Sequence, residues 1–85
     1  MSKLIHIPNI DKTLEEKLHS VGIDTVEQLR EKGSRHVFLR IKSNDSSACY
    51  NMLLSLEGAV RGVLAYELNE HVKDELKEFM EIFNR

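Results

Sequence analysis

Two short helical segments joined by tight corners constrain this chain more than any other feature in it. From Ile7 to Gly33 the sequence runs IPNIDKTLEEKLHSVGIDTVEQLREKG. It reads as a turn at Pro8-Asn9-Ile10-Asp11, a helix, a second turn at Val21-Gly22-Ile23-Asp24-Thr25 and a second helix. Asp11 can accept the free amides at the start of a helix running to about Ser20, and Thr13 with Glu16 offers a capping box slightly later. Leu14, Leu18 and Val21 recur at helical spacing on one face. Gly22 supplies the left-handed conformation that ends a helix, and Ile23 folds back as its hydrophobic contact. Thr25 caps the next helix, Val26 and Leu29 face inward, and Gly33 ends it.

The remainder reads as helices packed onto this unit. Ser34 is expected to cap a third helix with Val37, Phe38 and Ile41 inward. Ser43-Asn44-Asp45-Ser46-Ser47 is a polar connection. A fourth helix, roughly Ser47 to Arg61, is the most apolar and is expected at the centre. Cys49, Met52, Leu53, Leu56 and Val60 form its inner stripe, and Ala48 and Ala59 permit close approach. Gly58 costs about 1 kcal/mol against alanine in a helix interior, which implies a packing reason for it. Gly62 ends that helix, and Val63-Leu64-Ala65-Tyr66 is expected to return across the core. Asn69 caps a last helix with Val72, Leu76, Phe79, Met80 and Phe83 as its apolar stripe. Its outer face is acidic: Glu70, Asp74, Glu75, Glu78 and Glu81. No alternating β-branched run is bounded by hairpin turns. The pattern predicts an all-α bundle of five short helices.

Eighty-five residues make one small domain, 1–85, with no room for a second core, and self-association would help a chain of this size. No apolar run is long enough to span a membrane. The segment MSKLIHIPN is too short and polar for a signal peptide, and the single cysteine, Cys49, permits no internal disulfide. A cytoplasmic location is expected. The net charge of −2 hides an asymmetry. Residues 1–42 carry eight Lys/Arg against six Asp/Glu, and residues 43–85 carry four against eight. The basic excess gathers in Arg30, Lys32, Arg35, Arg40 and Lys42. Such a patch can meet phosphates, although the simpler reading is a solvated surface on two short helices.

A Pro-Gly-hydrophobic-Gly turn before a helix is a known way to hold a nucleic-acid phosphate, because glycines let the backbone approach and the helix start presents free amides. Here both glycine positions differ. Asn9 can still adopt a left-handed conformation, but the Asp11 carboxylate competes for those amides and repels phosphate. A structural corner is the favoured reading.

The segment resembles the helix-hairpin-helix class of small domains. The later run Leu56-Glu57-Gly58-Ala59-Val60-Arg61-Gly62, with Leu68 beyond it, narrows the resemblance. Together they look like the C-terminal domain of TfoX/Sxy-type competence regulators, whose pattern combines LPNIG, a GI-x-T corner and LEGA-x-RG. The match runs from Ile7 to about Phe83. It implies a five-helix SAM-like fold containing a helix-hairpin-helix-like unit, and a DNA-linked regulatory role in competence. The usual glycine after PNI is Asp11 here, which weakens a DNA reading of that hairpin. The N-terminal domain of the two-domain regulators is not expected in this chain, which reads as a stand-alone copy of one half.

Glu57 and Arg61 sit four apart on one helix, so an exposed ion pair is expected, worth a few tenths of a kcal/mol. The functional alternative is that Arg61 meets a partner near Gly62. His6, His19, His36 and His71 form no i, i+4 pair, so no metal site is expected. Cys49 is expected inward as a small buried hydrophobe. No catalytic constellation, cofactor motif or small-molecule pocket stands out. Two functions are left. The favoured one is a non-enzymatic protein-interaction module, an adaptor or regulator that binds a protein partner or pairs as a homodimer, with Arg61 and Gly62 as contacts. The other is weak, largely sequence-independent DNA binding through Asn9, Ile10, Lys12, Arg30, Lys32, Arg35, Arg40 and Lys42. Convergence of the basic side chains beside Pro8–Asp11 favours DNA, and their scatter favours a protein.

Overall fold

The first turn closes through the Ile10 amide, which donates to the Ile7 carbonyl at 3.2 Å. Pro8 occupies its second position and Asn9, at φ +77°, its third, as a type II turn requires. In this computed structural model, which describes residues 7–83, the chain then forms α1 (Lys12–Ser20), α2 (Val26–Lys32), α3 (Ser34–Asn44), α4 (Tyr50–Arg61) and α5 (Glu70–Phe83). A single 3-10 turn, Ala65–Glu67, lies between the last two. These are the five helices expected, and the described residues contain no strand. No helix among them is long and apolar enough to cross a membrane.

Local chemistry sets most boundaries. The Asp11 carboxylate accepts the Leu14 amide at 2.8 Å, so Asp11, not the Thr13 box, starts α1. Thr25 and Gln28 form a reciprocal capping box at the start of α2. Asn69 accepts the Val72 amide at 2.9 Å at the start of α5. The ends of α1 and α4 are built alike: Ile23 N–H reaches Leu18 O at 2.9 Å, and Val63 N–H reaches Gly58 O at 2.9 Å. Each places a left-handed glycine, Gly22 or Gly62, just past the helix. Both are Schellman endings.

Helix α4 is the centre, packing against α2, α3, α5 and the 3-10 turn, while α1 packs on α3. Leu18, Leu29, Val37, Phe38, Leu53, Leu56 and Leu76 have no solvent exposure, and each such side chain is worth about 1.5–3 kcal/mol of burial. Polar ties hold the helices at their edges. Lys17 pairs with Asp45 just beyond α3. The Lys17 ammonium, then the Ser47 hydroxyl and amide, hold the Asp45 carboxyl far below the usual carboxylate range. The Tyr50 hydroxyl donates to Lys73 O at 3.1 Å, tying the start of α4 to α5.

Several expectations are corrected. Ser34 does not cap α3; it is the first residue of that helix, and its buried hydroxyl points into the protein. Helix α4 begins at Tyr50 rather than Ser47, because Asp45 captures the Ser47 amide at 2.9 Å and holds a turn there. Cys49 therefore sits in extended backbone before the helix and is exposed, not inward. Met52 and Val60 are half-buried, and Glu57, Gly58 and Ala59 share the buried side instead. Val26 and Phe79 are also half-buried, and Phe83 is exposed. Residues 63–66 do not cross the core: Leu64 and Tyr66 are exposed, and Leu68 makes the inward contact.

Candidate interaction surface

The reason for Gly58 lies 49 residues away in sequence, in the first turn. A Cβ at Gly58 would stand 2.7 Å from Val63 O and 3.3 Å from Ala65 N, and would also strike the Asn9 amide. That amide occupies the space. Its nitrogen donates to Val63 O at 2.8 Å and its oxygen accepts from Ala65 N–H at 2.8 Å. Asn9 thus clasps the chain leaving α4, and the left-handed backbone at Asn9 aims the side chain there. Ile10, next in sequence, is buried at 5% exposure.

A second tie lies on the same helix. Glu57 is only 8% exposed, and accepts hydrogen bonds from the Ser34 hydroxyl and from Arg61 Nε, the latter at 2.6 Å. Burial pushes its carboxyl up. The hydrogen bonds from Ser34 and Arg61, with the positive charges of Arg61 and Arg35, outweigh that and hold it below its ordinary value of 4.5. The Glu57–Arg61 pair is therefore present but is not the surface pair expected, because α3 covers the carboxylate. Arg61 itself keeps half of its side chain in solvent.

The remaining basic residues are distributed. Arg30 Nε donates to Val60 O at 3.1 Å, at the carbonyl end of α4, where a cation is favoured. Arg35 pairs with Glu75 at 3.6 Å and lies 5.9 Å above the Phe79 ring, so it faces α5. Arg40 lies about 140° around α3 from Arg35 by helical geometry, and Lys42 is half-buried. Lys12 and Lys32 are exposed at the first turn of α1 and the last turn of α2. Neither Asn9 nor Ile10 presents a side chain outward. His19 and His71 lie near Asp24 and Glu75 of their own neighbourhoods, at 3.9 and 2.8 Å, while His6 falls outside the described residues. No group of three His, Cys, Asp or Glu side chains among the described residues could hold a metal ion.

The sequence profile of the TfoX C-terminal domain matches residues 1–80. This chain belongs to that family. Protein Sxy of Escherichia coli (strain K12) is 34% identical over 77 residues, 91% of this chain, which spans 37% of the length of Sxy. A crystal structure of an uncharacterized protein from Listeria monocytogenes, in a triclinic form, is 46% identical. It superposes with a TM-score of 0.93 over 95% of this chain and 92% of that one. A tetragonal crystal of a protein of unknown function from the same organism gives 47% identity and a TM-score of 0.88, covering 92% and 96%. In this TfoX C-terminal domain, then, the run Leu56–Gly62 serves at least three structural ends: a buried leucine, a glycine under the Asn9 clasp and a covered carboxylate.

Sequence reading missed Leu64 and Tyr66 as displayed side chains. Periodicity assigns apolar residues after a helix to the core. The signal that they are not was available only in Glu67, whose carboxylate folds back to accept the Leu64 amide at 2.9 Å and sets the 3-10 turn.

Proposed function

We propose that this chain is a small non-enzymatic interaction module of the cytoplasm, an adaptor or regulator in competence or transcription control, whose partner is a protein. The Asn9 clasp carries this reading. A turn that held phosphate would need its amides and its third residue open to solvent. Here the Asn9 side chain is bonded to Val63 and Ala65, Ile10 is buried, and Asp11 sets a carboxylate on the first amides of α1. The basic side chains add support, since Arg30 and Arg35 are drawn to different helices, α4 and α5. The regulatory context comes from the family resemblance.

A non-enzymatic role has its own support. A cleft of about 190 Å³ between α1 and α4 is lined by Asp11, Thr13, Lys17, Asn51 and Ser55. It falls below the roughly 300 Å³ at which small-molecule sites begin. Lys17 and Asp11 are also engaged within the fold, with Asp45 and the Leu14 amide.

The test is fluorescence anisotropy of labelled duplex DNA titrated with the protein across a salt series. No binding at low salt is the expected result. Binding whose logarithm falls with log salt at a slope of roughly −3 to −5 would show several phosphate contacts and overturn the protein-partner reading. In that case Arg40→Glu, on an exposed residue, would reduce the slope.

A further inference from the structure

We propose that the cleft between α1 and α4 is a docking site for an extended, uncharged segment of a partner protein, which lays one aliphatic side chain into it. This rests on the protein-interaction reading above and adds the place and the chemistry. At about 190 Å³ the cleft is too small for a metabolite-sized ligand, and its room is that of a single side chain.

Two rows of side chains line it. Thr13 and Lys17 stand one turn apart on α1, and Asn51 and Ser55 one turn apart on α4. The buried Leu14 and the half-buried Met52 supply its apolar lining. Both charged groups at the cleft are already engaged: Asp11 caps α1 through the Leu14 amide, and Lys17 pairs with Asp45. The neutral groups are not. Among the described residues, the side chains of Thr13, Asn51 and Ser55 make no hydrogen bond. A hollow with an apolar lining and a few convergent polar groups has the makings of a binding site.

The protein itself shows what such a group can hold. At the edge of the same cleft, Asn9 takes a carbonyl and an amide two residues apart on one segment, Val63 O and Ala65 N–H, at 2.8 Å each. Leu64 between them is extended, at φ −71° and ψ 148°. The Asn51 amide carries the same donor and acceptor, and the Thr13 and Ser55 hydroxyls can play either part. An extended backbone offers that alternation of N–H and C=O along its edge. Charge narrows the occupant further. Asp45 neutralises Lys17, so the exposed Asp11 leaves the cleft negative, which disfavours an acidic segment and a phosphate alike.

The experiment is a ¹⁵N–¹H NMR titration of the whole chain with a pool of end-capped peptides, leucine at the centre and Ala, Ser, Thr or Val at the flanks. One control pool has glycine at the centre, and another has aspartate on both sides of the leucine. The leucine pool should shift the amides of residues 13–17 and 51–55, and both control pools should bind several-fold more weakly. Asn51→Asp keeps the size of the side chain and suits the first turn of α4, so the fold is retained. It removes the amide donor and should weaken binding by about fivefold. No shift with the leucine pool, equal binding of either control pool, or unchanged affinity in Asn51→Asp would each overturn the proposal. Shifts at the same residues produced instead by an oligonucleotide, or by concentration alone through self-association, would overturn the choice of occupant. Peptide shifts confined to another face would sink the cleft as the docking site and leave the protein-interaction reading standing, whereas DNA binding in the anisotropy series removes that reading itself.

Discussion

The Pro8–Asp11 turn and the Gly62–Leu68 loop are bonded to each other, yet they dispose of their side chains in opposite ways. The turn hands its polar groups to the fold: Asn9 to Val63 and Ala65, Asp11 to α1, with Ile10 in the core. The loop receives those bonds on its backbone and is thereby left with Leu64 and Tyr66 in solvent. One residue's amide therefore does two jobs. It ties the first turn to the chain leaving α4, and it fixes the backbone of a second segment whose Leu64 and Tyr66 stand in solvent. A motif that resembles a nucleic-acid contact can thus be framework for a segment more than fifty residues away in sequence.

The comparison can be broken at its common support first. Leu56→Ala, at a fully buried position of α4, should cost about 2–5 kcal/mol in urea or thermal unfolding. An unchanged melting temperature would mean that α4 is not the shared core of both regions. Gly58→Ala tests the clasp itself. Its new methyl meets backbone at Val63 and Ala65 as well as the Asn9 amide, so a net loss of about 1–3 kcal/mol is expected in spite of the helix-propensity gain of about 1 kcal/mol. A stabilised Gly58→Ala would show that the turn and the loop do not press on each other there.

Removal of Arg61 probes the tie beneath the loop. Arg61→Ala leaves Glu57 with Ser34 alone, and should cost about 1–3 kcal/mol at neutral pH. The pH dependence has a definite sign. Glu57 titrates below its ordinary value of 4.5 in the folded protein, so its contribution is fully present above that value and is lost as pH falls through the lower folded one. Asp45, also lowered, acts in the same direction. Stability should begin to fall below about pH 4.5, and in Glu57→Gln the part of that slope due to Glu57 should vanish in a pH series of urea denaturations.

Two smaller effects sharpen the contrast. Cys49 stands at the N-cap of α4 with no side-chain capping bond. Cys49→Ser should stabilise the protein by about 0.5–1 kcal/mol, since serine can accept an orphan amide. The native thiol should also react with a thiol reagent without denaturant, and a protected thiol would contradict its exposure. Tyr66→Ala should change stability by less than about 0.5 kcal/mol, because the side chain stands in solvent. A large loss of stability there would make Tyr66 framework, like Asn9, and erase the distinction between the two regions.

The helices and their caps were legible because their causes are local. Asp11, Thr25 and Asn69 accept amides within three residues of themselves, and Gly22 and Gly62 end helices by backbone conformation alone. The stripes of α1, α3 and α5 are strongly periodic, which made Leu14, Leu18, Val37, Phe38, Ile41, Val72 and Leu76 readable as core. Where a local rule had competitors, reading failed. Ser34 was a plausible cap, but the Glu57 carboxylate on another helix claimed its hydroxyl. Ser47 was a plausible helix start, but Asp45 turned the chain first.

By itself, then, the sequence determined five helices, their order, the central place of α4 and the need for something against Gly58. Those outcomes follow from propensity, periodicity and capping, which act within a few residues. Only the tertiary structure decided what met Gly58, which way Asn9 faced, that Glu57 was covered, and that Leu64 and Tyr66 stayed in solvent. Each of these depends on which atoms compete for the same space or the same hydrogen bond across tens of residues, and that competition is resolved only when the helices are packed.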